Sequence, residues 1–271
     1  MASEWGTRAV IENKQWKNNF FLTLTYNEEN IPKNHSLCKK DVQDFFKRLR
    51  EAYTGIQPRE WKGKIEYPIR MYYTGEYGPK TRRPHYHCAI FNWIPPDLKL
   101  RLVQQNGIKV YTSEIIAKKW GKGYHLIEEL NYESACYIAR YTIKKLFNNK
   151  DEYCKSRGIE PEFVETSRKG GIGYQIMENE KEYEKMKRNY GIFTITKKGI
   201  KLKKIPMYLR KKWKDKDNDE YFEISEQRRM EQEKIINDML KKTDLTKLQY
   251  IQQQKDLIIM KTKKSTQRKA I

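Results

Sequence analysis

Cysteine is scarce and scattered. Cys38, Cys88, Cys136 and Cys154 form no CxxC pair, and four isolated thiols in 271 residues do not frame a disulfide scaffold, so a reducing cytosol is the expected compartment. No stretch approaches the roughly 18 consecutive apolar residues of a membrane span. The opening Met1-Ala2-Ser3-Glu4-Trp5 leads into polar sequence without an apolar core, so neither secretion nor membrane insertion is expected. A nucleotide-binding loop of the form GxxxxGK[ST] is missing, and no internal repeat or low-complexity tract occurs. Acid is the minority charge: 35 Asp and Glu face 56 Lys and Arg, a formal charge of +21.

With 38% hydrophobic residues the chain can bury one sizeable core, with or without an appendage. Its basic excess and 13% aromatics fit a polyanion, because Lys and Arg release counterions from phosphates and aromatic rings stack on unpaired bases. Nucleic acid is therefore the leading partner; a solvated cationic surface, or one for acidic lipids, is the competing reading.

Phe20 to Tyr26 is β-branched and aromatic and predicts a strand closed by Asn27 to Pro32. After Ser36, a candidate cap, Val42, Phe45, Phe46, Leu49 and Tyr53 recur at helical spacing and predict a helix over 38–54. Two strands, 69–77 and 85–93, flank the basic loop Gly78 to Pro84. Helices are expected near 97–105 and 113–120, then a strand over 124–130. Asn131 can cap a helix over 132–147 that buries Ala135, Ile138, Ala139 and Leu146. The order predicts an α+β fold, a central antiparallel sheet flanked by helices, over 1–217, with an appended polar helical tail over 218–271.

His85-Tyr86-His87 is the most informative triplet. Side chains on a strand alternate with period two, so both imidazoles share one face and can hold one metal ion, while Cys88 points away. Two histidines alone hold a divalent ion loosely. Glu76, near the end of the preceding strand, can join them through antiparallel pairing, leaving open positions at which Mg²⁺ or Mn²⁺ polarises a phosphate; Zn²⁺ or Fe²⁺ suits the same donors. The competing reading is a pair of hydrogen-bonded histidines in a polar core. His35 and His125 are read as surface or packing residues.

On the 132–147 helix, Tyr137, Tyr141 and Lys144 fall at i, i+4 and i+7, so two phenols can reach one phosphate with a cation one turn on. A phenol, with a reference pKa near 10, needs a polarised target or a nearby cation to act as nucleophile. The alternative is plain amphipathic packing. Lys80, Arg82 and Arg83 in the basic loop, with Arg140 and Lys145 on the helix, are the candidate DNA contacts, against a solvated turn as the alternative. Thr23 and Thr25 either support the metal-bearing strand or DNA, or are ordinary strand residues.

Taken in order, Phe21-Leu22-Thr23-Leu24-Thr25, His85-Tyr86-His87 and Tyr137-xxx-Tyr141-xx-Lys144 resemble the three motifs of rolling-circle replication initiators, the HUH endonucleases. The likeness is greatest to the microvirus, gokushovirus-type initiators with two tyrosines. Arg82-Arg83-Pro84, Trp120-Gly121-Lys122-Gly123 and Ser167 to Gly173 look like further marks of that group, and the resemblance covers roughly 18–210. It implies an antiparallel sheet whose central strands carry the first two motifs, with the tyrosine helix beside the metal. It implies His85 and His87 as ligands with Glu76 as third, and Tyr137 and Tyr141 as nucleophiles that nick and rejoin single-stranded origin DNA through a 5′-phosphotyrosine. A host polymerase and helicase in a bacterial cytoplasm would be the partners. The alternatives are a non-catalytic binder of single-stranded nucleic acid and a single-tyrosine HUH transposase.

Overall fold

The computed structural model describes residues 2–78, 81–147, 154–196 and 199–267; the side chains of 140–147 and 261–267 fall outside the description. Two compact units divide it, 1–210 and 211–271.

The first unit is built on a seven-stranded sheet in which every pairing is antiparallel. Its strands are β1 (Asn19–Tyr26), β4 (Arg70–Tyr77), β5 (Pro84–Phe91), β6 (Lys99–Val103), β7 (Lys109–Thr112), β8 (Gly123–Glu128) and β9 (Phe163–Thr166), in the order β6-β7-β8-β1-β5-β4-β9. Two hairpins stand apart, β2 (Arg59–Trp61) with β3 (Lys64–Glu66), and β10 (Gly191–Thr196) with β11 (Gly199–Lys204).

Alternation sorts the central strands onto two faces. Phe20, Leu22, Leu24 and Tyr26 of β1 and Tyr86, Cys88 and Ile90 of β5 pack with α2 (Lys39–Ala52) and α3 (Glu114–Trp120). Val42, Phe45, Phe46 and Leu49 of α2 are at most 2% exposed, each contributing about 1.5–3 kcal/mol by leaving water. The opposite residues, Phe21, Tyr72, Ala89 and Phe91, pack with Ala9 and Trp16 at α1 (Ala2–Gln15) and with Ala135, Ile138 and Ala139 of α4 (Tyr132–Phe147). This second face carries the site.

Several expectations are corrected. The helix expected near 97–105 is strand β6: Leu100 and Leu102 alternate with Lys99 and Arg101, and Gly107 at φ +79° turns the chain directly into β7. Ser36 does not cap α2. The N-cap is Cys38, without a side-chain bond, and Ser36 Oγ instead accepts from Glu160 N at 2.9 Å. Asn131 does cap α4: its Oδ1 accepts from Ser134 N and Ser134 Oγ accepts from Asn131 N, each at 2.9 Å. In Trp120-Gly121-Lys122-Gly123, Gly121 ends α3 at φ +64°, and a Cβ on Gly123 would lie 2.3 Å from Asn27 N.

The polar opening segment is α1, and it is anchored by charge. Glu12, wholly buried, pairs with buried Arg70 of β4 and accepts from Gly173 N at 2.7 Å, while Arg70 donates to the carbonyls of Lys169 and Gly171 at 2.6 Å. Removing one partner of such a pair strands the other charge in the core. The segment Ser167 to Gly173 is thereby clamped under the sheet, and α5 (Glu180–Asn189) follows it.

α6 (Met207–Lys216) carries the boundary between units. The second unit continues with α7 (Asn218–Leu240), capped by Asp217 through Glu220 N at 3.0 Å, and α8 (Lys247–Gln267). Among the described residues no helix is long and apolar enough to cross a membrane.

Candidate metal centre and active site

Register brings the acid to the histidines. In the β4–β5 pairing Glu76 stands directly opposite His85 and Thr74 opposite His87, and β1 sets Thr23 opposite His87 on the other side. All lie on the α4 face of the sheet.

His85 Nε2 meets Glu76 Oε1 at 2.8 Å, and its Nδ1 lies 3.0 Å from the Arg83 carbonyl. That carbonyl can only accept, so it holds the proton on Nδ1 and turns Nε2 toward the acid. His87 Nε2 lies 2.7 Å from the same Glu76 oxygen without hydrogen-bond alignment, while its Nδ1 meets Thr23 Oγ1 at 3.0 Å. Burial is tight: Glu76 is 1% and His87 8% exposed. The ligand atoms of Glu76, His85 and His87 fall within 4.8 Å of one another, and no other such set of three occurs among the described residues.

Burial pushes the Glu76 carboxyl up, yet the hydrogen bond from His85 and the close approach of both imidazoles outweigh it and hold it at about 2. Burial lowers His85, but Glu76 outweighs it and the net direction is up; for His87 burial wins and the direction is down. Without an ion, Glu76 thus favours a proton on His85. Among the described residues, Glu76 Oε2 and His87 Nε2, both buried, have no hydrogen-bond partner. Such orphans are costly unless something completes them. Two imidazole nitrogens and a carboxylate fit a divalent cation.

Helix α4 sets Tyr137 over this group. Its hydroxyl donates to Glu76 Oε1 at 3.2 Å, and its ring meets that of His87 edge-on with centroids 4.9 Å apart. Phe21 stacks on His87 at 5.5 Å. Tyr141, Lys144, Arg140 and Lys145 sit on the same helix, but their side chains lie outside the described residues.

In the β4–β5 loop, Lys80 lies outside the described residues. Arg82 is exposed, its guanidinium 5.0 Å above the Tyr77 ring. Arg83 faces the end of β1, donating to the Tyr26 carbonyl at 2.9 and 3.1 Å and to Glu28 at 2.6 Å. His125 lies on the opposite sheet face, its Nε2 accepting from Ser113 N at 2.9 Å. His35 is exposed.

Thr23 Oγ1 contacts His87 Nδ1, so its loss would be felt by an ion that these ligands hold. Thr23→Val removes the hydroxyl while keeping the branched shape, and Mn²⁺ affinity by calorimetry is expected to fall about 10- to 100-fold. Unchanged affinity would show that the contact does not position the ligand.

The family model for the replication-associated protein ORF2 matches residues 19–146, from β1 through α4. The chain is 36% identical over 226 residues to the replication-associated protein ORF2 of Spiroplasma virus 4, covering 82% of this chain and 66% of that protein. This chain belongs to the microvirus replication-associated proteins. It is also 39% identical over 178 residues to the replication-associated protein VP4 of Bdellovibrio phage phiMH2K, covering 66% of this chain and 54% of that protein. With the ORF4 replication-associated protein of Chlamydia phage 1 it shares 28% identity over 149 residues, 53% of this chain and 35% of that one. The chain thus spans only part of the length of these family members. No solved structure matches it significantly.

The sequence left two features of the site unread. One is α1, whose Ala9 packs on the site face with Trp16 just beyond the helix; the other is Glu128, which lies opposite Phe21 in the β1–β8 pairing. Neither residue type nor spacing marks either one. Their places follow from strand order.

Proposed function

We propose that this replication-associated protein initiates and terminates rolling-circle replication by nicking and joining single-stranded DNA at an origin, as an HUH endonuclease of the two-tyrosine type. The observation that carries the reading is the Tyr137 hydroxyl, 3.2 Å from a carboxylate that two histidines also face. A divalent ion, Mg²⁺ or Mn²⁺, held by His85, His87 and Glu76 would polarise the scissile phosphate.

Tyr137 Oη bonds to phosphorus as the bond from phosphorus to the 3′-oxygen breaks. The phenol gives up a proton and the leaving oxygen gains one. The products are a 5′-phosphotyrosine and a free 3′-hydroxyl, from which a host polymerase extends. The ester conserves the energy of the broken bond, so rejoining needs no nucleotide. Tyr141, one turn along α4, is the second nucleophile, and Lys144 stabilises the leaving oxygen. Lys80, Arg82, Arg83, Arg140 and Lys145 are our candidates for holding the strand, and a host helicase opens the duplex. Residues 1–217 form the nuclease and 218–271 a tail.

Incubation with single-stranded origin oligonucleotides and Mg²⁺ or Mn²⁺ is expected to yield a covalent protein–DNA band on a denaturing gel. The band is expected to disappear with EDTA. No band with any divalent ion would instead favour the non-catalytic binder. A single tyrosine sufficing for every step would favour the transposase.

A further inference from the structure

Beside the metal group the sheet opens into a cleft of about 950 Å³. Phe21, His87 and Tyr137 line it, together with Ile108 from the β6–β7 hairpin. Its lining carries acid: Glu128 at the end of β8, Glu129 just after it, and Glu133 from the first turn of α4. In a chain with 21 surplus positive charges, carboxylates concentrated here need a reason.

They do not form a second cation centre. Among the described residues only Glu76, His85 and His87 bring three ligand atoms within 4.8 Å. Nor can a phosphate lie against them, since carboxylates repel it at short range. Nucleic acid entering the cleft must therefore turn its base inward and leave its backbone outside.

Glu128 is placed to meet such a base. It lies opposite Phe21 on the face that carries His87, and lines the same cleft as that ring. Gln104 Nε2 donates to its Oε1 at 3.1 Å, which fixes the carboxylate while leaving it further acceptor capacity. A carboxylate pairs with the exocyclic amino groups that adenine, cytosine and guanine carry and thymine lacks. The cleft volume suits a nucleotide-sized ligand.

We infer that this cleft is a nucleobase subsite beside the scissile phosphate, in which Glu128 accepts from an exocyclic amino group and so discriminates against thymine. The inference rests on the reading of the metal group as a DNA-cleaving centre. It adds a source of sequence specificity that is separate from the basic loop.

The test uses the full chain and a randomised single-stranded DNA pool with Mn²⁺. Two fractions are sequenced, the DNA bound at equilibrium and the DNA attached covalently. In both, one position is expected to be depleted in thymine about tenfold. In the attached fraction it falls within about two nucleotides of the tyrosine-linked phosphate, the reach of a pocket adjoining the centre. Glu128→Gln, which can donate to thymine, is expected to erase the depletion, with an unchanged thermal midpoint showing that the variant is folded. Thymine tolerated throughout the wild-type bound fraction, or depletion surviving in folded Glu128→Gln, overturns the inference. A thymine-depleted bound fraction without any covalent product would instead sink the nuclease reading and leave the base pocket standing.

Discussion

Tyr137→Phe is expected to lower covalent adduct formation at least about a thousandfold, because it removes the attacking oxygen while keeping the ring. The phenyl ring keeps its edge-on contact with His87 at 4.9 Å, so the variant should fold and bind the metal as the wild type does. The bond from Oη to Glu76 Oε1, 3.2 Å long, is lost. Divalent-ion affinity and thermal midpoint, measured alongside, separate a chemical defect from a structural one. Tyr141→Phe completes the comparison. If the two phenols alternate, each single variant should block a different step: one prevents the first nick, and the other permits the nick but not closure of the displaced strand into a circle. Adduct at wild-type yield from Tyr137→Phe, with nicking and closure both intact, would remove Tyr137 from the chemistry.

The elements that carry this prediction were legible in the sequence because each buries one face. Apolar residues of α2 recur every three or four positions, and the helix observed, Lys39–Ala52, lies within the 38–54 expected. The α4 helix runs Tyr132–Phe147, as its apolar spacing and Asn131 cap imply. Strands β1 and β5 alternate between a face of aliphatic and aromatic residues with Cys88 and a face holding threonine and histidine, and that alternation put both imidazoles on one side. Elements lacking such a pattern were lost. In α1 the buried positions include Glu12, Thr7 and Arg8, so charge held in the core disguises the face that packs. β6 is exposed along its whole length and has no buried side to read. β9 has four residues, and only its pairing with β4 makes it a strand.

The site divides along the same physical line. Contacts within one strand or one helix follow from periodicity, so residue spacing alone groups His85 with His87 and Tyr137 with Tyr141. Glu76 needed a register, and a one-residue slip would have turned it to the α2 face. The Arg83 carbonyl on His85 and the Thr23 hydroxyl on His87 depend on loop shape and strand order, which no local pattern encodes. Arg83 shows the converse. A basic residue beside a metal motif suggests phosphate, yet its donors are directed to the Tyr26 carbonyl and Glu28.

Glu76→Gln is the second large effect. The substitution keeps the side-chain shape but removes the negative charge that balances a divalent ion, and Mn²⁺ affinity by calorimetry or spin-resonance titration is expected to fall at least about 100-fold, with adduct formation falling alongside. A proton-linked signature should accompany it. In the wild type His85 is shifted upward because the hydrogen bond and charge of Glu76 outweigh its burial, so an entering ion must displace a proton from it. Metal affinity should accordingly rise with pH through the neutral range and level off above the His85 pKa. With glutamine at position 76 the largest upward influence is gone, while burial and the smaller upward pull of the Arg83 carbonyl and Glu162 remain. His85 should then titrate lower than in the wild type when followed by NMR, and the pH dependence of whatever metal binding survives should move to lower pH. A Glu76→Gln variant that binds Mn²⁺ as tightly as the wild type, or leaves the His85 titration where it was, would mean that the carboxylate neither holds the ion nor sets the charge of its neighbours.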